Sequence, residues 1–233
     1  DERTRRVPHD RAVVEEELTP AVDAVNVRES QEARAVDLQA AARAIEAFLT
    51  ALGHPPASDP ELENTGMLVA RAFHEELLSG HRDDPAAILR ETLNATSHEL
   101  IVVRDIPITC MCPHHLLPAT GVLHIGYLPG ERIVGFGALA RLAHAYARRL
   151  ILQETLCERI AQALTQHLGA RGAGCVADLR PLCLTARGER PSHASVVTAA
   201  TSGRLADDPA LRREFFAITR DRARQPPHEE PRP

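Results

Sequence analysis

Positions 110 to 115 read Cys-Met-Cys-Pro-His-His. Cys112 and His115 stand three residues apart at the end of a predicted strand, a spacing that lets a thiolate and an imidazole meet on one cation. Sulfur plus nitrogen is a zinc donor set. Two protein ligands make a poor site. Cys183, 71 residues further on and on another predicted strand, is the candidate third. Three protein ligands leave one position for water, the catalytic form of a zinc centre, in which water ionises near neutral pH. A structural zinc is less well served, since no fourth ligand stands out unless Cys110 supplies it. Spacing alone leaves a plainer reading open: cysteine is often a buried apolar residue, and adjacent histidines often belong to a surface loop. Cys157 and Cys175 fall within a predicted helix and strand and read as core.

The elements that must carry these residues follow from periodicity. Leu38, Ala41, Ala42, Ile45, Phe48, Leu49 and Leu52 recur at helical spacing, and Gly53 stops that helix. A second helix is predicted from Thr65 to Leu78, ending at Gly80, and a third from Pro85 through the run PAAILRETLN. β-Branched residues then dominate. Strands are predicted over 100–109, 121–128 and 132–136, with a turn at Pro129-Gly130-Glu131. Helices over 138–150 and 153–168 follow, then strands over 174–185 and 195–200, and a last helix over 209–219. Helices first, then strand pair, helix pair and strand pair, predict an α+β fold around an antiparallel sheet. The boundaries read as an arm over 1–29, a helical region over 30–96, a catalytic domain over 97–219 and a tail over 220–233. Both termini are charged, proline-containing and without periodicity, and are expected to be flexible.

Composition narrows the classes. The 233 residues are 44% hydrophobic but only 3% aromatic, without tryptophan, so the core must come from Leu, Val, Ile and Ala. No apolar run approaches the ~20 residues of a membrane helix, and no basic-then-apolar leader opens the sequence; a cytoplasmic protein without a membrane partner is expected. A net charge of −5 argues against a nucleic-acid partner. Five cysteines, an odd and low number, do not suggest a disulfide scaffold. All 27 basic residues are arginine, so any position that favours lysine elsewhere is filled differently here.

Several ordered motifs resemble one family. Cys112-Pro113-His114-His115-Leu116-Leu117-Pro118 followed by Gly121 is similar to the C-E-H-H-L-L-P-x-x-G signature of GTP cyclohydrolase I. His124 to Pro129 resembles the family's next strand, and Leu139-Ala140-Arg141-Leu142 with Ala147-Arg148-Arg149 its following helix. Leu152-Gln153-Glu154-Thr155-Leu156 resembles V-Q-E-R-L. Leu182 to Gly188 resembles the strand bearing the second cysteine, and 207–215 the last helix. Thr65 to Ala72 resembles the T-P-x-R-V-A-K-A helix more weakly. The likeness spans roughly 35–219.

The resemblance implies the tunnelling fold, an antiparallel sheet with helices packed on one face, assembled into a ring-shaped homo-oligomer, commonly a decamer, with active sites at subunit interfaces. It implies a hydrolase that opens the imidazole ring of a guanine nucleotide at C8. Cys112, His115 and Cys183 would hold Zn2+, and His114 would lie beside the water or the ribose. Gln153, Glu154 and the backbone at Leu152 would hold the guanine edge. Arg141 and Arg187 would meet the triphosphate, with Arg71 arriving from a neighbouring subunit. Departures from the pattern cluster around the substrate. Pro181 replaces a histidine that can donate a proton, Pro113 replaces a glutamate, Gly137 and Ala138 replace a serine and a lysine, and Leu68 replaces an arginine. These predict an altered substrate or end point, with the complete conversion to 7,8-dihydroneopterin triphosphate and a non-catalytic purine-binding homologue as alternatives. His193, which has no counterpart in the pattern, is a candidate replacement acid.

Overall fold

The computed structural model describes residues 35–187 and 193–220. The arms expected at 1–29 and 220–233 fall outside these, apart from Arg220. The described residues from Leu38 to Arg220 form one compact unit. It opens with α1 (Leu38–Ala51) and α2 (Thr65–Arg71), as the apolar spacing predicts. Gly53, at φ 86°, ends α1 in the left-handed conformation that glycine adopts without penalty. α2 continues into a wider π-type turn over Ala72–Leu77. There the Arg82 guanidinium donates to the carbonyls of His74 and Glu75 at 2.7 and 3.3 Å.

The predicted third helix is cut short. α3 is only Pro85–Ile88, started by Asp84, whose Oδ1 accepts from the Ala86 N–H at 2.9 Å. Thr92–Asn94 forms β1, paired antiparallel with β4 (Arg132–Val134). A distant partner has overridden the helical pattern of the local sequence.

The main sheet contains β2 (Ile101–Met111), β3 (Pro118–Leu128), β5 (Gly172–Pro181) and β6 (Val196–Gly203). All neighbours are antiparallel, in the order β2-β3-β5-β6. Two helices, α4 (Phe136–Ala147) and α5 (Gln153–His167), cover one face. Strand residues of one parity meet them: Leu123, Ile125 and Tyr127 on β3, and Cys175, Ala177 and Leu179 on β5, pack with Leu139, Leu142, Leu156, Ile160 and Leu164. Each of these eleven is fully buried. Mostly aliphatic side chains fill the space, as the scarcity of aromatic residues requires; Tyr127 and Tyr146 also belong to this core, and the Tyr127 hydroxyl accepts from the Val134 N–H at 3.3 Å.

The opposite face carries a smaller core. After β6 come α7 (Arg204–Asp207) and α8 (Pro209–Arg220), and Phe215 of α8 packs with Leu128, Val176 and Leu205. Its ring lies over Gly126 and Gly174, which pair across β3 and β5. A Cβ on Gly174 would stand 2.6 Å from a Phe215 ring carbon, so this approach requires glycine. Among the described residues, no helix is long and apolar enough to cross a membrane.

Candidate metal centre and active site

β2 and β3 form a hairpin whose last pair is Met111 with Pro118. The connection between them, residues 112–117, is the Cys-Pro-His-His segment. Two backbone bonds close it: the Cys112 N–H donates to the Leu117 carbonyl at 3.0 Å, and the Leu116 N–H donates to the Cys112 carbonyl at 2.9 Å. Leu116 has φ 52°, in the left-handed region that bulky residues seldom occupy. The turn brings Cys112 Sγ to 3.6 Å from His115 Nδ1.

Cys183 arrives from just beyond the neighbouring strand. β5 pairs with β3 and ends at Pro181, opposite Ala119. Proline has no N–H to continue a ladder. The chain turns there into a single helical turn, α6 (Leu182–Thr185), so Cys183 lies on a short helix and not on the strand predicted over 174–185. Thr185 Oγ1 donates to the Pro181 carbonyl at 3.2 Å. The Arg187 Nε donates to the Cys183 carbonyl at 3.1 Å. The ligand atoms of Cys112, His115 and Cys183 all lie within 4.8 Å of one another, two half-buried thiols with one exposed imidazole.

This donor set fits zinc. Bond lengths of ~2.3 Å to sulfur and ~2.0–2.1 Å to nitrogen at a tetrahedral angle separate S from N by about 3.6 Å, the distance found between Cys112 and His115. Burial, and then the adjacent Cys112, push the Cys183 thiol above its ordinary pKa, with Arg187 opposing them. Two thiols in one small volume resist ionising together, and a divalent cation removes that resistance. Cys110 does not belong to the group. It is buried on the core face of β2, and burial, then Cys112, Cys157 and Cys183, push its thiol up to about 11. Cys157 and Cys175 are fully buried, as core residues should be.

The other candidate residues are placed as follows. His114 is exposed, its ring centroid 6.3 Å from that of His115 and nearly perpendicular to it. Leu152 precedes α5 in extended conformation, and Glu154 sits exposed in that helix's first turn. Gln153 turns inward: its Nε2 donates to the carbonyls of Ala177 at 3.0 Å and Val196 at 2.7 Å. Arg141 is exposed on α4, its Nη1 3.9 Å from where a Cβ on Gly137 would be. Arg187 is exposed and bound to its own turn. Arg71 ends α2, whose main packing partner is α1. His193 is exposed in the turn before β6. Ala138 is buried in the core beneath α4, whereas Leu68 is 64% exposed.

Sequence reasoning missed Arg149. Its Nε donates to the carbonyls of Gly80 at 3.1 Å and Ala145 at 2.8 Å, its Nη2 to that of Asp83 at 3.3 Å, and its guanidinium lies 5.0 Å from the Tyr146 ring centroid. It fastens the helical region to the end of α4. No local pattern marks such a role.

Residues 41–220 match the family model described as GTP cyclohydrolase I. Curated relatives include the GTP cyclohydrolase 1 of Corynebacterium glutamicum, 40% identical over 80% of this chain and 95% of that protein. That of Campylobacter lari is 37% identical over 76% of this chain and 92% of the relative. That of Bifidobacterium longum is 38% identical over 82% and 96%. A solved structure, the apo form of the archaeosine synthase QueF-Like, aligns with a TM-score of 0.39 at 15% identity, over 46% of this chain and 97% of that one.

Proposed function

Because the chain belongs to the GTP cyclohydrolase I family, we propose that it is a zinc-dependent hydrolase that opens the imidazole ring of a guanine nucleotide at C8. The observation that carries this reading is the convergence of Cys112, His115 and Cys183 within 4.8 Å. An ion held there supplies Lewis acidity, which makes water a nucleophile at neutral pH. His114, edge-on to His115, would accept a proton from the attacking water. The Glu154 carboxylate offers acceptors for the N1–H and 2-amino group of guanine, a pairing that adenine cannot reproduce. The backbone at Leu152 completes that edge, and Gln153, turned inward onto the Ala177 and Val196 carbonyls, steadies the turn that presents Glu154. Arg141 and Arg187 meet phosphate, and Arg71 comes from a neighbouring chain in a ring-shaped homo-oligomer.

Ring opening is the step these residues support best. Pro181 has no titratable proton, and general acid help of the kind a histidine gives is worth ~100- to 10,000-fold. Ala138 is in the core and Leu68 is apolar, so neither gives a triphosphate a cation. The reaction therefore ends at a ring-opened formamidopyrimidine or its deformylated product, or acts on a nucleotide with fewer phosphates. A second reading, complete conversion to 7,8-dihydroneopterin triphosphate, is supported by the names of the relatives. Incubation of zinc-loaded protein with GTP, GDP and GMP, followed by formate assay and product mass spectrometry, tests both. A ring-opened product is expected. A pterin product would establish the second reading, and no turnover of any nucleotide would identify a non-catalytic homologue.

A further inference from the structure

The conformation of Leu116 is not explained by the proposed chemistry. A leucine at φ 52° occupies a region where its Cβ crowds the following carbonyl, at a cost that glycine and, in part, asparagine avoid. Such outliers persist only where surrounding structure dictates them. Packing does not dictate this one, because the Leu116 side chain is 51% exposed. Ring closure does: the Leu116 N–H donates to the Cys112 carbonyl at 2.9 Å, and the Cys112 N–H donates to the Leu117 carbonyl at 3.0 Å. The residue so constrained is bonded directly to His115. The left-handed step reverses the chain immediately after the imidazole and returns it to Cys112, whose Sγ lies 3.6 Å from His115 Nδ1. An extended or right-handed residue at 116 would not satisfy both bonds together.

We propose that Leu116 is a positioning residue: its left-handed backbone, and not its side chain, holds the His115 ring against Cys112 and forms the metal claw before the metal arrives. The inference rests on the metal reading above. It differs from a role in substrate contact, since it assigns the effect to one dihedral angle. Side chains that tolerate positive φ should then preserve metal binding whatever their shape, and a β-branched side chain should not.

The test uses the full-length chain stripped of metal by a chelator and titrated with Co2+, followed by the thiolate-to-cobalt charge-transfer and ligand-field bands. Leu116→Asn and Leu116→Gly are expected to bind within about threefold of the wild-type chain with unchanged spectra. Leu116→Val is expected to bind ~tenfold more weakly or worse, with altered ligand-field bands. Thermal unfolding in chelator accompanies each titration, and Leu116→Asn, which suits the observed backbone, supplies a folded comparison. Equal binding by Leu116→Val would overturn the proposal. So would losses in Leu116→Asn and Leu116→Gly as large as in Leu116→Val, which would assign the effect to the side chain. A wild-type chain that takes up no cobalt would instead refute the metal centre itself.

Discussion

Gln153 shows how one amide serves two strands. Its Nε2 donates to Ala177 on β5 and Val196 on β6, while the backbone carbonyl of the same residue accepts from Thr198 Oγ1 at 3.4 Å. Further along α5, Ser202 Oγ donates to the Ala161 carbonyl at 2.9 Å. Edge strand β6 is thus fastened to the helix as well as to β5. Replacing Gln153 with leucine leaves two strand carbonyls facing a side chain that cannot donate, and an unmet buried acceptor costs about 1–3 kcal/mol. Urea unfolding of Gln153→Leu is expected to show a loss of that size; a midpoint equal to wild type would mean that the carbonyls find other donors. At this scale the sequence was legible where chemistry depends on spacing: Cys112 and His115 share one turn because only Pro113 and His114 separate them. Leucine has no preference for positive φ, so nothing in the composition of the loop announced Leu116. An inward Gln153 and an outward Glu154 likewise look alike until a helix fixes which side of the chain each one takes.

Helices and strands were legible where their periodicity was sustained. α1, α4, α5 and α8 and the four main strands occur within a few residues of their predicted ranges. Two short segments were not. Leu182-Cys183-Leu184-Thr185 carries the apolar and β-branched residues of a strand, yet Pro181 ends the ladder and the chain coils. Thr92–Asn94 continues a helical pattern, yet pairs with β4; no local preference reports a partner so distant in sequence. The end of α4 also carries a pH dependence. Burial, and then Arg148, hold the partly buried His144 below its ordinary pKa of 6.5. The unfolded chain therefore binds this proton first as pH falls. Its contribution to stability is complete above ~6.5 and is lost as pH drops through the lower folded value. The urea midpoint should accordingly be lower at pH ~5.5 than at pH ~7.5, and His144→Gln should narrow that difference. An undiminished difference in the variant would place the effect on other groups.

The whole molecule has unfinished margins. Among the described residues, β2 and β6 each have one sheet neighbour, and Phe48, Leu52, Leu68, Phe136 and Val197 are each at least 60% exposed. Open edges and apolar surface of this kind are what association covers. Sedimentation is expected to give a particle several times the 25.4 kDa of one chain, and Val197→Lys, on the β6 edge, to shift it toward smaller species. A wild-type chain sedimenting as a monomer would rule out sites shared between subunits. The two faces of the sheet are unequal in another respect. The hairpin that carries Cys112 and His115 is braced by the large core beneath α4 and α5, whereas α8 packs on a small cluster centred on Phe215 over two glycines. Hydrogen exchange is expected to reach the amides of α8 before those of the strands that pack under α4 and α5. Because Leu128 and Gly126 belong to β3, any loosening of α8 would travel along that strand and leave the larger core on the other face intact.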